Sequence, residues 1–303
     1  NKLIWRNYLC NCPIMRQWLR SAAVLVMLTL AGGGWLLARS QQPAISSQMR
    51  HATGQAVVPI YEGWFEDRDG RVHATFGYVN LNSEEALDIP IGANNVIAPG
   101  PADQNQPTHF QPGHRKGVFT VALPRDRSDT EITWTLSIRG QTMSVPSNLG
   151  QLYQIEGLVT NGGPFPGNTP PVMRFEPRGA SGQGPGGLMS ATPFTTSAQT
   201  GATVDLWVTD DGLPGEVDPL VVRSLQSGLR RRQRRQMSVT WSKYRGPGEV
   251  HFSDSSPPIE QGRASTTVTF SEPGDYMLRV VASDGSGFNG CCWTNAYVRA
   301  TAQ

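Results

Sequence analysis

Short alternating runs of apolar and polar residues, broken by turn signals, dominate the chain from Val57 onward. "VVPIYEGWFE", "DRDG" and "RVHATFGYVNLN" together predict a β-hairpin, with Asp69-Gly70 supplying the positive-φ positions of its turn. Val72, Ala74, Phe76 and Tyr78 alternate with His73, Thr75 and Gly77, the pattern of a strand buried on one face. "GVFTVALP" and "TEITWTLSIRGQTMSV" add three strands, the last two joined across Arg139-Gly140. A first β-sandwich is therefore predicted over residues 57–156. Gly and Pro then crowd "TNGGPFPGNTPP" and "PRGASGQGPGG", and residues 157–187 read as a linker. Beyond it, "ATVDLWVTDDGLP", "QMSVTWSKYRGPGEVHF", "RASTTVTFSEPGDYMLRVVASDGSG" and "TNAYVRAT" alternate again. They predict a second sandwich over residues 188–303.

One segment departs from this texture. Ser21 to Ala38 carry no charge, and as a helix they extend about 27 Å at about 1.5 Å per residue, close to a hydrocarbon core. Four basic residues precede the run, which places the N-terminus on the cytoplasmic side. Trp18 and Trp35 stand near its ends, where indole rings favour the interface, and Leu25 and Leu28 lie within it. The expectation is an uncleaved signal anchor over residues 21–38, after a tail over 1–20 and before a linker over 39–56. The rival is a cleaved signal peptide. A cut after Ala38 puts Leu36 at −3, which is poor, and a cut after Gly33, with Ala31 at −3, is only passable. In either case the chain after about Ser40 is expected outside the cytoplasm. With the anchor retained, the location is the inner membrane, with the bulk of the chain periplasmic.

Composition sharpens the class. With 33 Gly, 23 Pro and 17% charged residues, the chain fits an all-β protein better than a helical one. The net charge of +2 conceals an asymmetry. Residues 1–50 hold six basic residues and no acid, leaving 20 basic against 24 acidic in the remainder. The exported body is mildly acidic, which argues against nucleic acid as a partner.

Two resemblances follow from these residues. Trp241, Gly246-Pro247-Gly248, Phe270, Pro273-Gly274 and Tyr276 make the second region similar to PKD-like, immunoglobulin-like modules of bacterial exported proteins. That resemblance implies a spacer or adhesive sandwich. The insertion over residues 213–236 departs from it. "YEGWFEDRDGRVHATFGYVNLN" through "QPTHF" resembles a group of uncharacterised exported bacterial proteins, which implies no activity.

Candidate chemistry is sparse. No nucleophile elbow, paired-carboxylate or phosphate-cradle pattern occurs, so no catalytic residue, cofactor or metal site is assigned. The Cys10/Cys12 pair reads as two reduced thiols. Cys291 and Cys292 are adjacent and exported. They are expected as a vicinal disulfide, against the alternatives of a link to another chain or a buried reduced pair. His109 and His114 come close together in "THFQPGH" but read as loop histidines. The carboxylates of "EDRDG" and "DDGLPGEVD" suit turns as well as calcium. Arg230, Arg231, Arg232, Arg234 and Arg235 repel one another unless matched to anions. They are read as meeting lipid headgroups or an acidic neighbouring subunit, or as a solvated loop.

The first functional expectation is a non-enzymatic accessory subunit, anchored by one helix and stabilising a larger integral membrane complex. In layout it is similar to an extracytoplasmic subunit of a bacterial photosynthetic reaction-centre and antenna assembly. Neither a histidine in the membrane run nor a haem-attachment motif is present, so any part there is structural. The alternative is a secreted or surface-tethered binding module, which exposed aromatics on a sandwich face would favour. Neither reading needs a small-molecule substrate.

Overall fold

The structure, a computed structural model, describes residues 51–123, 130–161, 165–190, 192–197, 200–213, 237–286 and 291–303. Residues 1–50 are outside this set, so the expected anchor with Trp18, Leu25, Leu28 and Trp35 lies beyond the described residues. The described residues form β-strands and one 3₁₀ turn, Gln151–Tyr153. None of their helices is long and apolar enough to cross a membrane.

The first lobe opens with the expected hairpin, β1 (Val57–Glu66) and β2 (Val72–Asn80), but its loop spans Asp67 to Arg71 and only Gly70, not Asp69, takes positive φ. Asp67 holds the turn by accepting the N–H groups of Asp69 and Arg71 on Oδ1, which is turn chemistry. β6 (Gly113–Ala122) pairs with β2 to complete a three-stranded sheet. A second three-stranded sheet runs β4 (Asn95–Ala98), β7 (Thr133–Ile138), β8 (Gln141–Pro146). Arg139 and Gly140 both adopt positive φ between β7 and β8, as a two-residue hairpin requires. A short pair, β3 (Leu87–Asp88) and β5 (His109–Phe110), closes one end. Between the sheets pack Phe76, Phe110, Phe119, Trp134, Ile97 and Leu136, all buried. The Trp134 ring stands edge-on to Phe119 at 5.0 Å, and its N–H donates to buried Asn95.

β2 differs from its expected half-buried pattern, since Thr75 and Gly77 are buried as well as Phe76 and Tyr78. Gly77 is closed over by the Arg115–Lys116 backbone and the Glu62 side chain, and the outer face around Phe65 by residues 157–187. Gly157 lies against Phe65, and a Cβ on Gly186 would come within 3.7 Å of the same ring, on the outer face of the first sheet. A Cβ on Gly157 would stand 2.8 Å from the Phe65 ring, so the missing side chain permits the approach. The segment read as a linker thus covers a sheet face. It also supplies β9 (Val172–Arg174) and β10 (Ser181–Gln183), which join the second lobe.

The second lobe adds β11 (Leu188–Met189), β12 (Phe194–Thr196), β13 (Ala202–Thr209), β14 (Ser238–Arg245), β15 (Val250–Phe252), β16 (Arg263–Phe270), β17 (Gly274–Ser283) and β18 (Trp293–Ala302). One sheet runs β10-β9-β13-β16-β15. The other runs β11-β18-β17-β14, with β12 also parallel to β18. Lettered from β13 as strand B to β18 as strand G, this is the BED-against-CFG arrangement of an immunoglobulin-like sandwich. Two side chains carry its usual marks. Trp241 is buried on the C-position strand, stacked over Phe252 at 6.3 Å. Tyr276, at the start of the F-position strand, donates its hydroxyl to the Glu272 carbonyl four residues upstream. Gly246 is fixed by that ring, since a Cβ there would fall 2.1 Å from Tyr276 Cδ1.

Candidate functional site

Two regions collect side chains whose placement goes beyond core packing. The first is the seam between the lobes, where one face of the β14–β17–β18 sheet meets β6 and the loop before β5. Arg279 is buried there with its Nε and Nη2 on Asn295 Oδ1 at 3.1 and 2.7 Å, and Nη2 also reaches the Gly117 carbonyl. Asn295 in turn donates Nδ2 to the carbonyls of Gly117 and Pro185, both at 2.9 Å. Tyr297 donates to the Val118 carbonyl at 2.6 Å, and burial pushes its hydroxyl up to about 12, so it stays a donor at neutral pH. Tyr244 donates to the Asn105 carbonyl. Arg245 grips Asp103 with both Nη atoms at 2.8 Å, and this side-chain hydrogen bonding holds the Asp103 carboxyl below the usual range.

Glycine again sets the closeness of this contact. Trp293 lies on Gly117, whose φ is +51°, and a Cβ there would sit 2.3 Å from the indole. A third polar cluster closes the end of the seam. Lys243, nearly fully buried, stands 3.5 Å from Asp88 Oδ1, which also meets His109 Nδ1 at 2.9 Å. Burial alone would raise the Asp88 carboxyl. The hydrogen bond and charge from His109, with Lys243 beside it, hold it below its ordinary value instead. The desolvated groups of the seam are thus mostly matched by partners, as a fixed interface demands.

The second region is exposed. After β8 the chain crosses in front of β1. Tyr61 donates to the Asn148 carbonyl at 2.8 Å, Trp64 Nε1 to Gly150 at 3.0 Å, and the Ile155 N–H to Trp64 at 2.8 Å. Gly63 lets the strand pass beneath, since its absent Cβ would lie 2.4 Å from the Tyr153 carbonyl. These bonds mount the 3₁₀ turn firmly and push its apolar residues outward. Leu152 is 99% exposed and Tyr153 48% exposed, with the Tyr153 ring 6.0 Å from that of half-buried Tyr61. Burial raises the Tyr61 hydroxyl to about 12. Leu152 and Tyr153 form an exposed apolar patch, backed by half-buried Tyr61 and flanked in the chain by exposed Gln151 and Gln154. Such a surface offers contact area and hydrogen bonds, the chemistry of binding.

The residues singled out from sequence fall as follows. Cys291 and Cys292 are joined in a vicinal disulfide, buried immediately before β18, with both sulfurs near the Asn168 carbonyl. Arg230, Arg231, Arg232, Arg234 and Arg235 lie outside the described residues, as do Cys10 and Cys12. His109 and His114 are not brought together on one carboxylate. His109 meets Asp88, and His114 meets Glu62 at 3.3 Å. Among the described residues no group of three His, Cys, Asp or Glu side chains is placed to hold a metal ion. Asp210 is raised by burial and then by neighbouring Asp211 and Asp284, while Asp211 accepts from Thr169 and Asp284 from Asn168. Sequence reading missed the Leu152–Tyr153 patch. The uncharged run from Gly140 to Ile155 was its available signal.

No protein-family model matches the chain. Among solved structures, the chain is similar to the D00-D0 domain of Intimin at 10% identity and a TM-score of 0.26, over 81% of this chain and all of that one. Domains 4 and 5 of the S-layer protein SbsC match at 11% identity and a TM-score of 0.23, over 82% of this chain and 98% of that one. The immunoglobulin-like reading of the second lobe rests on its own strand order, Trp241 and Tyr276.

Proposed function

We propose that this chain is an exported, non-catalytic β-sandwich binding module whose two lobes act as one stiff body. The observation that carries the reading is the mounted apolar patch: Leu152 stands clear of the surface on a turn held by β1, beside Tyr61, Trp64 and Tyr153. Aromatic and apolar side chains on a rigid support lose little entropy when a partner covers them. The seam supports the stiffness, since Arg279, Asn295 and Tyr297 tie β17 and β18 to β6 through buried hydrogen bonds. An oxidised cysteine pair suits a compartment outside the cytoplasm. The partner is a protein with an apolar recess.

Tethering by residues 21–38 and docking through the arginine segment remain part of this proposal as the means of holding the module near a membrane. The narrower placing beside a photosynthetic complex gains no support from the fold. The test is site-specific photo-crosslinking in cells, with a photoreactive residue at Leu152 and, as a control, at exposed Glu272 on the other lobe. A discrete adduct from position 152 alone is expected. Equal labelling from both positions, or none from 152, would remove the patch as the contact site.

A further inference from the structure

The longer edge strands of the two lobes differ in what covers them. β1 is capped by the Ile155 N–H on the Trp64 carbonyl. β6 is capped by Arg279, Asn295 and Tyr297 on Gly117 and Val118. β14 is met by Ser255 at Trp241 and by Thr108 at Tyr244. β8 pairs with β7 on one side, and among the described residues nothing pairs with its other side.

The register shows which groups face outward. Gln141 pairs with Ile138 across the two-residue turn, and the Ser147 N–H bonds to the Ile132 carbonyl in the same register. Odd-numbered residues of β8 therefore spend their backbone groups on β7. The N–H and C=O groups of Thr142 and Ser144 point away from it. An uncovered strand of this kind is usually blunted by charge. Here Gly140 to Ile155 contains no Asp, Glu, Lys, Arg or His, and neither β4 nor β7 contributes one.

We infer that β8 pairs antiparallel with β8 of a second copy, about a two-fold axis through Met143. In that register Thr142 faces Ser144 of the other copy, and their outward backbone groups exchange four hydrogen bonds across the two symmetric pairs. The hydroxyl pairs already present on the outer face, Thr135 with Ser144 and Ser137 with Thr142, then run on across the junction. On the opposite face Met143 meets its own copy, and Met143 and Val145, both half-buried at the sheet margin, gain apolar cover. A strand without charge suits its own image, because like faces like at no electrostatic cost. One strand edge is small beside the roughly 1,600 Å² of a standard interface, so the dimer is weak and concentration-dependent. This inference makes no use of the Leu152 patch.

Met143→Cys in the full chain, with Cys10→Ser and Cys12→Ser to remove other thiols, tests the register. The central non-hydrogen-bonded pair brings the two Cα atoms to about 4.5 Å, within disulfide reach. Mild oxidation is expected to give a covalent dimer. Thr135→Cys, one strand further in, keeps its sulfurs some three strand spacings apart and is expected to give none. Independently of cysteine, sedimentation of the otherwise unaltered chain is expected to show mass rising toward twice the monomer by about 100 μM. Thr142→Lys with Ser144→Lys, both exposed, should abolish that rise. A chain that stays monomeric, a double-lysine variant that dimerises as well as the parent, or Met143→Cys cross-linking only to a different protein would each overturn self-pairing.

Discussion

Asp103 shows how single groups hold the seam. Its carboxylate meets the Arg245 fork, which cannot lose its charge, and its pKa lies below the ordinary value first because of that hydrogen bond. A depressed carboxyl contributes stability that is complete above its unfolded pKa of about 3.9 and fades as pH falls through the lower folded value. Asp103→Asn should therefore lower the urea midpoint at pH 7 yet flatten its decline below about pH 4. Midpoints measured from pH 7 to pH 3 check this, and parallel declines for both proteins would refute the assignment. At this scale the sequence was partly readable. Trp241 and Tyr276 stand where the module pattern put them, because their spacing to Gly246 and Pro273 is local. The carboxylate partners of His109 and His114 were not readable, since 21 and 52 residues separate each pair along the chain.

At the level of elements, the hairpins followed from alternation and turn residues, as β1–β2 and β7–β8 demonstrate. The Gly/Pro-rich stretch was misread for a physical reason. Gly157 and Gly187 look like flexible spacing, but they let backbone lie directly on Phe65 and Asn295. Composition cannot distinguish a glycine needed for freedom from one needed for close approach. The Cys291–Cys292 bridge belongs to this scale too. It closes no long loop, so the chain-entropy gain is only about 1 kcal/mol. Cys291→Ser with Cys292→Ser should shift global stability by about that amount, with any larger change confined to the start of β18. Denaturant unfolding with amide exchange over Trp293–Tyr297 measures both, and a loss of several kcal/mol would show that the pair holds more than its local turn.

For the whole molecule, the seam decides what the chain can present to others. The sheet face formed by β17 and β18 is spent on the first lobe, and the Leu152–Tyr153 patch and the β8 edge are, among the described residues, the proposed contact surfaces. If the lobes are one body, a cut in the seam must be felt on both sides. Asn295→Ala removes the partner of Arg279 and the donor to Gly117 and Pro185, at a cost of about 3 kcal/mol. Native-state amide exchange on this variant is the most direct measurement. Protection in β7, around buried Trp134, should fall by the same free energy as protection in β17. Loss confined to β13–β18, with β7 unchanged, would mean that the lobes fold and move independently.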